Sequence, residues 1–63
     1  MIYTRSGSEV RIVAIALDGA EPGDMTDVVV IEYDDGGTRN VPAYALVADD
    51  GADEIARAIE SVR

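Results

Sequence analysis

The sequence predicts an α+β fold: a small, strongly bent antiparallel β-sheet of three to five strands with one C-terminal helix packed on it. Three stretches carry this expectation. Thr26 to Val41 reads as an apolar run, a turn and a second extended run, which together make a β-hairpin. Glu9 to Leu17, EVRIVAIAL, is a second stretch rich in Val and Ile. From Ala52 to Val62, Ala52, Ile55, Ile59 and Val62 recur at helical spacing behind an Asp-Asp-Gly signal.

In the hairpin, Val28, Val29, Val30, Ile31 and Tyr33 are β-branched or aromatic and suit a pleated surface better than a helix. Asp34, Asp35, Gly36 and Gly37 follow, residue types that tolerate the positive φ of tight turns. A two-residue turn on Asp35-Gly36 sets Glu32 opposite Arg39 and Val30 opposite Val41, with a Glu–Arg pair worth ~0.2–1 kcal/mol. A turn on Gly36-Gly37 would oppose Asp34 with Arg39 instead. A type I turn with a glycine bulge is the third open geometry.

Elsewhere along the chain, Met1 to Thr4 reads as a short edge strand and Ser6-Gly7-Ser8 as a turn. Glu9 to Leu17 begins by alternating, with Glu9 and Arg11 on one face and Val10 and Ile12 on the other. From Ile12 to Leu17 both faces are apolar, the pattern of a central strand covered on both sides. Asp18 to Asp24 is a loop dense in Gly, Pro and Asp. The strand Thr38 to Val41 ends at Pro42, which has no N–H to donate. Ala43 to Val47 fits either a short strand or a single helical turn.

For the helix, Asp50 is the expected N-cap, and Asp53 and Glu54 suit the positive end of the helix dipole. Arg57 stands four residues after Asp53, a favourable spacing for an ion pair. Eleven residues do not hold a helix in water unaided, so this one must dock.

Composition narrows the function classes. With 63 residues there is room for one small domain, spanning residues 1–63. The absence of Cys and His removes disulfides, thiolate nucleophiles, Cys/His zinc sites and imidazole chemistry. Small secreted domains usually rely on disulfides, so a cytoplasmic location is expected. The longest fully apolar run, Ile12 to Leu17, is too short for a signal peptide or a membrane span.

Thirteen carboxylates face five arginines and no lysine, a net charge of −8. Phosphate backbones repel such a surface, which argues against direct nucleic-acid binding. Host-wide composition bias explains the acidity most simply. Reception of a basic partner comes second, and mimicry of DNA toward a nucleic-acid-binding protein comes third.

The carboxylate clusters Asp34-Asp35, Asp49-Asp50 and Asp53-Glu54 lack the alternating spacing and distal glutamate of a calcium loop, and turn or cap roles account for each. No metal, cofactor or catalytic residue is expected, and no enzyme: there is no nucleophile motif around Ser6, Ser8 or Ser61, and no phosphate loop follows Gly36-Gly37. Tyr33, beside Asp34 and Asp35, could offer an aromatic face to a cation, though tyrosines more often half-fill a small core and keep the hydroxyl wet.

The run V-V-V-I-E-Y-D-D-G-G-T-R-N-V-P-A-Y-A-L resembles the strand–turn–strand of SH3-like small barrels of the Tudor type. There a strand ending in an aromatic residue and an Asp-Gly turn precede a short strand and a turn carrying Leu. The resemblance spans roughly Val10 to Val47 and implies a five-stranded barrel that binds peptides or assembles with other proteins. Tudor cages draw on several aromatics, and only Tyr33 maps onto such a position.

Two functional expectations follow. The first is a small acidic protein-interaction or regulatory module that meets an unidentified, basic protein. Its candidate partner-binding residues are Asp18, Glu21, Asp24, Asp27, Tyr33, Asp34 and Asp35. The alternative is a DNA-mimic inhibitor, which requires those carboxylates to line one face. Ile12–Leu17 beside Val28–Ile31 also offers more apolar strand surface than one short helix covers, so barrel closure or a homodimer is expected to bury the remainder.

Overall fold

The structure, a computed structural model that describes residues 1–20 and 25–63, is one five-stranded antiparallel sheet followed by a single helix. The strands are β1 (Ile2–Thr4), β2 (Glu9–Leu17), β3 (Val28–Tyr33), β4 (Thr38–Pro42) and β5 (Leu46–Ala48), and the helix α1 is Ala52–Val62. A single 3₁₀ turn, Ala43–Ala45, joins β4 to β5, so the stretch left open between strand and helical turn contains both. The spatial order is β4-β3-β2-β1-β5. β1, expected at an edge, is instead interior: Ile2 pairs with Val10 on one side and with Ala48 on the other.

Two hairpin turns share one geometry. Thr4 N–H donates to Ser8 O at 2.9 Å, and Gly7 N–H donates back to Thr4 O at 3.0 Å. Tyr33 N–H likewise donates to Gly37 O at 2.8 Å, and Gly36 N–H to Tyr33 O at 2.9 Å. Each is a three-residue turn whose last residue is a glycine at positive φ, +95° for Gly7 and +87° for Gly36. The β3–β4 hairpin therefore adopts the glycine-bulge alternative, not the Asp35-Gly36 two-residue turn, which would have placed Asp35 at positive φ. Its side chain instead accepts the Gly37 N–H at 2.8 Å. The one-residue slip sets Val29 opposite Val41 and Glu32 opposite Thr38. Val29 and Val41 are both buried, so this register keeps the two apolar faces together.

β2 explains its own six-residue apolar run. Ile12 pairs with Ile31 and Ala14 with Val30, then Ile15 with Val29 and Leu17 with Val28. Val13 and Ala16 are thus extra residues, and each bulge shifts the alternation by one place. Val10 and Ile12 point inward before the first bulge, and Ile15 packs against the core after it. The apolar run is the signature of two bulges. It is not that of a strand covered on both sides, for Val13 is 37% exposed and Leu17 66% exposed.

α1 covers the inner face. Ile55 and Ile59 are buried among Ile2, Val10, Ile12, Val29, Ile31, Val41, Ala43 and Leu46, with Ala58 and Val62 packed at the margin. Ala52, expected on the same stripe, is exposed. The N-cap is Gly51 rather than Asp50. Its φ of 79° and ψ of −161° belong to a region that glycine alone occupies comfortably. Asp50 N–H instead donates to Glu54 Oε1 at 3.1 Å, so a first-turn glutamate reaches back over the helix start. Among the described residues no Asp53–Arg57 ion pair forms; Arg57 exerts its charge on Glu54.

Burying Ile55 and Ile59 contributes about 1.5–3 kcal/mol each, in a domain whose size allows only about 3–9 kcal/mol in total. Truncation after Asp50 is therefore expected to abolish cooperative thermal unfolding, read by far-UV circular dichroism. Ile59→Ala, costing about 2–5 kcal/mol, is expected to leave at most a broadened transition well below that of the full chain.

Candidate functional site

With α1 on the inner face, the outer face of β2–β3–β4 is left bare. The ladders arrange it in three rows: Arg11, Glu32 and Thr38; then Ala14, Val30 and Asn40; then Leu17, Val28 and Pro42. The second and third rows are apolar except for Asn40. Leu17 is the most exposed large apolar side chain of the described residues, and Val13, at the first bulge, is exposed as well. Where β2 ends, a shallow groove of about 380 Å³ runs between Ala14, Leu17 and Asp18 on one wall and Val62 and Arg63 on the other.

Charged clusters stand near both ends of β2, one around Arg11 and one on the α1 side around Arg63. At one end Arg11 donates from Nε to Glu32 Oε1 at 2.9 Å, and a terminal guanidinium nitrogen contacts the same oxygen. Glu32 thus takes its partner from β2 rather than from Arg39. A hollow of about 220 Å³ there is walled by Glu9, Val10, Arg11, Glu32, Tyr33 and Asp34. Tyr33 is half-buried against the core, and the cation beside it is the chain's own Arg11.

The other end is tied down by Arg63, which donates to Asp18 Oδ1 at 3.1 Å and to Asp27 Oδ2 at 2.9 Å, with Glu60 at 3.6 Å. Asp27 is wholly buried, and its other oxygen accepts the Gly19 N–H at 2.6 Å. A carboxylate taken from water needs such partners. Burial opposes the charge on the guanidinium, but the hydrogen bond to Asp18 and the charges of Asp27, Asp18 and Glu60 outweigh it and raise the Arg63 pKa.

The residues singled out from sequence are therefore divided. Asp18 lies at the Arg63 corner, its side chain 73% exposed; Tyr33 and Asp34 lie at the Arg11 corner; Asp35 is occupied by its turn. Asp27 is interior and serves the fold, out of a partner's reach. Glu21 and Asp24 lie outside the described residues. β3 separates Asp18 and Asp27 from Asp34 and Asp35 by its six residues, about 20 Å. Asp27, being buried, adds nothing to an acidic line on the surface.

A third acidic group surrounds the start of α1. The Met1 ammonium contacts Glu54 Oε2 at 2.7 Å and Asp49 Oδ2 at 3.4 Å. The Glu54 hydrogen bond raises the Met1 pKa above its ordinary 8.0, and the same bond, with the Asp50 N–H, lowers Glu54 below 4.5. Burial, helped by the charges of Asp49 and Glu9, raises the Tyr3 hydroxyl.

Among the described residues no group of three or more His, Cys, Asp or Glu side chains comes together in a metal-holding arrangement, and no helix is long and apolar enough to cross a membrane. No family model, curated protein or solved structure matches the chain. Sequence reasoning missed Asp27 as a structural group because its partner, Arg63, lies 36 positions away. It anticipated surplus apolar strand surface but not which residues carry it, because parity shifts at Val13 and Ala16 are invisible without the β3 register.

Asp27→Asn is expected to cost about 1–3 kcal/mol, from the loss of a buried charged hydrogen bond, against less than about 1 kcal/mol for Asp18→Asn at the surface. Urea denaturation of both variants checks the order. The Met1–Glu54 pair sets a pH profile. The ammonium's contribution is full below pH 8.0 and fades as pH rises through its raised value; the carboxylate's is full above pH 4.5 and fades as pH falls through its lowered value. Thermal melts of Glu54→Gln across that range should lose the alkaline decline that this pair gives the parent chain.

Proposed function

We propose that the chain is a small acidic protein-interaction module, built as an SH3-like barrel, without catalytic activity of its own and working in the cytoplasm. The observation that carries the reading is the apolar strip on the outer face of β2–β3, where Val13 and Leu17 are exposed and Ala14, Val28 and Val30 half-buried. Soluble domains keep contiguous apolar surface small unless something docks there. A sheet of this width also gains from cover on both faces, and α1 covers only one.

Further support for the barrel comes from the order of parts. An aromatic strand end at Tyr33, a tight Asp-Asp-Gly turn, a short fourth strand and a turn leading into Leu46 follow one another as in the resemblance drawn from the sequence. The acidic surface supports a regulatory or accessory role over a catalytic one, because it offers steering and selectivity without a cleft.

Leu17→Asp is the direct test. The side chain is mostly solvent-exposed, so the substitution is expected to shift unfolding by no more than about 0.5 kcal/mol. Proteins retained by the parent chain from its host's lysate at about 0.5 M salt, where charge-only contacts are screened, should be lost with the variant. Retention of the same proteins by Leu17→Asp, or of none by either, would remove this face as the docking surface.

A further inference from the structure

We infer that the free edge of β2 pairs antiparallel with the same edge of a second copy, joining two sheets across a two-fold axis. The inference stands apart from the outer-face reading, since it concerns an edge of the sheet and not a face.

β1 is too short to cover β2. It pairs with Glu9 and Val10 only, while β3 follows β2 on the other side as far as Leu17. Among the described residues no strand lies against Arg11–Leu17 on the β1 side. α1 runs beside this notch without filling it. One shallow groove, about 280 Å³, lies between Glu9–Ile12 and the helix residues Glu54 and Ala58. The next, about 380 Å³, lies between Ala14–Asp18 and Val62 and Arg63. No β3 residue lines either groove, so both follow the side of β2 that lacks a neighbour. From Val13 to Leu17 no residue is buried, whichever face it belongs to. Such an edge presents a row of backbone groups that a further strand takes up.

The other margins of the sheet are guarded. β4 exposes Thr38, Arg39 and Asn40 and ends in Pro42, and β5 is only three residues long. Polar side chains, proline and shortness are the usual defences of a strand edge. Ile12–Leu17 has neither a charge nor a proline. Its bulges are the one defence it carries.

Three features make a second copy the occupant. An uncharged edge gives a basic or acidic strand nothing to pair with along its length, whereas β2 itself is an equally apolar strand. Opposite charges flank the run: Arg11 at one end and Asp18 at the other, their side chains 75% and 73% exposed. Antiparallel pairing sets the Arg11 end of each copy beside the Asp18 end of the other, once at either end of a two-fold contact. The bulges at Val13 and Ala16 curve the edge away from a straight strand, and a copy brings the same two bends. The contact is small. Six residues span about 20 Å, short of the ~800 Å² per partner of a standard interface, so a dissociation constant of about 0.1–1 mM is expected.

The test follows the ¹⁵N amide shifts and the sedimentation of the full chain from about 50 µM to 2 mM, a range that brackets this affinity. The amides of Ile12–Leu17 are expected to move with concentration and those of β4 to stay. Because copies of −8 repel, association should tighten at least about threefold between about 50 and 500 mM salt. Ala16→Lys charges an exposed edge position and should weaken association about fivefold or more with the thermal transition kept. Thr38→Lys makes the same change of charge on the β4 margin and should not weaken it. With two differently labelled copies mixed, intermolecular NOEs should join the Arg11 end of one to the Leu17 end of the other.

A monomer throughout the range overturns the inference, whatever the variants do. Shifts confined to Val28, Val30 and Asn40 would overturn the edge and assign self-association to the outer face. Leu17-to-Leu17 NOEs would overturn the antiparallel order. Equal weakening by Ala16→Lys and Thr38→Lys would reduce the contact to general charge and overturn strand pairing.

Discussion

The pairing of β2 with β3 sets everything else in this molecule. Ile12 against Ile31 and Ile15 against Val29 form the inner surface on which α1 rests, and the bulges at Val13 and Ala16 keep those pairs on one side. Without them, nine residues of β2 would alternate strictly and Ile15 would turn away from the core. The bulges also add local twist. That curvature brings β1 between β2 and β5 and lets one short helix reach the interior side chains of several strands.

The same device determines which side chains the outer face carries. Turning Ile15 inward sends Ala14 and Leu17 outward, where Val28 and Val30 already stand, because β3 keeps its own uninterrupted alternation. An apolar outer strip is the geometric partner of a well-filled interior here. Interior packing and the apolar outer rows come from one pair of inserted residues, so a sequence that lost them would lose both.

The scarcity of cations gives Arg63 and Arg11 a large structural share. Arg63 holds a buried carboxylate, a loop carboxylate and its own helix neighbour, while Arg11 spans two strands. Local signals made much of this fold legible in sequence: β-branched runs fixed the strand locations, and the spacing of Ile55 and Ile59 fixed the helix. The hairpin register was not legible, because three turns fit Asp34-Asp35-Gly36-Gly37 until the burial of Val29 and Val41 is known. Asp50 as a cap was misread for a related reason: the backbone at Gly51 takes a conformation that no side-chain rule anticipates. Of the candidate site, Asp18, Tyr33 and Asp34 were visible as residues and a surplus of apolar strand surface was expected, but the makeup of the strip was not legible. Its rows join residues from three strands, and only pairing brings them together.

The placement of β1 bears on how the chain is made. Ile2 to Thr4 complete their pairing only with Leu46 to Ala48, and Asp27 gains its guanidinium only from residue 63. Folding can begin with the β2–β3–β4 meander, whose contacts are local, yet β1 stays half-paired and the interior open until β5 and α1 dock. Loop closure across such separations is slow compared with hairpin formation. During that interval the inner face of the sheet is as exposed as the outer one. A net charge of −8 sets copies of the chain to repel one another at that stage.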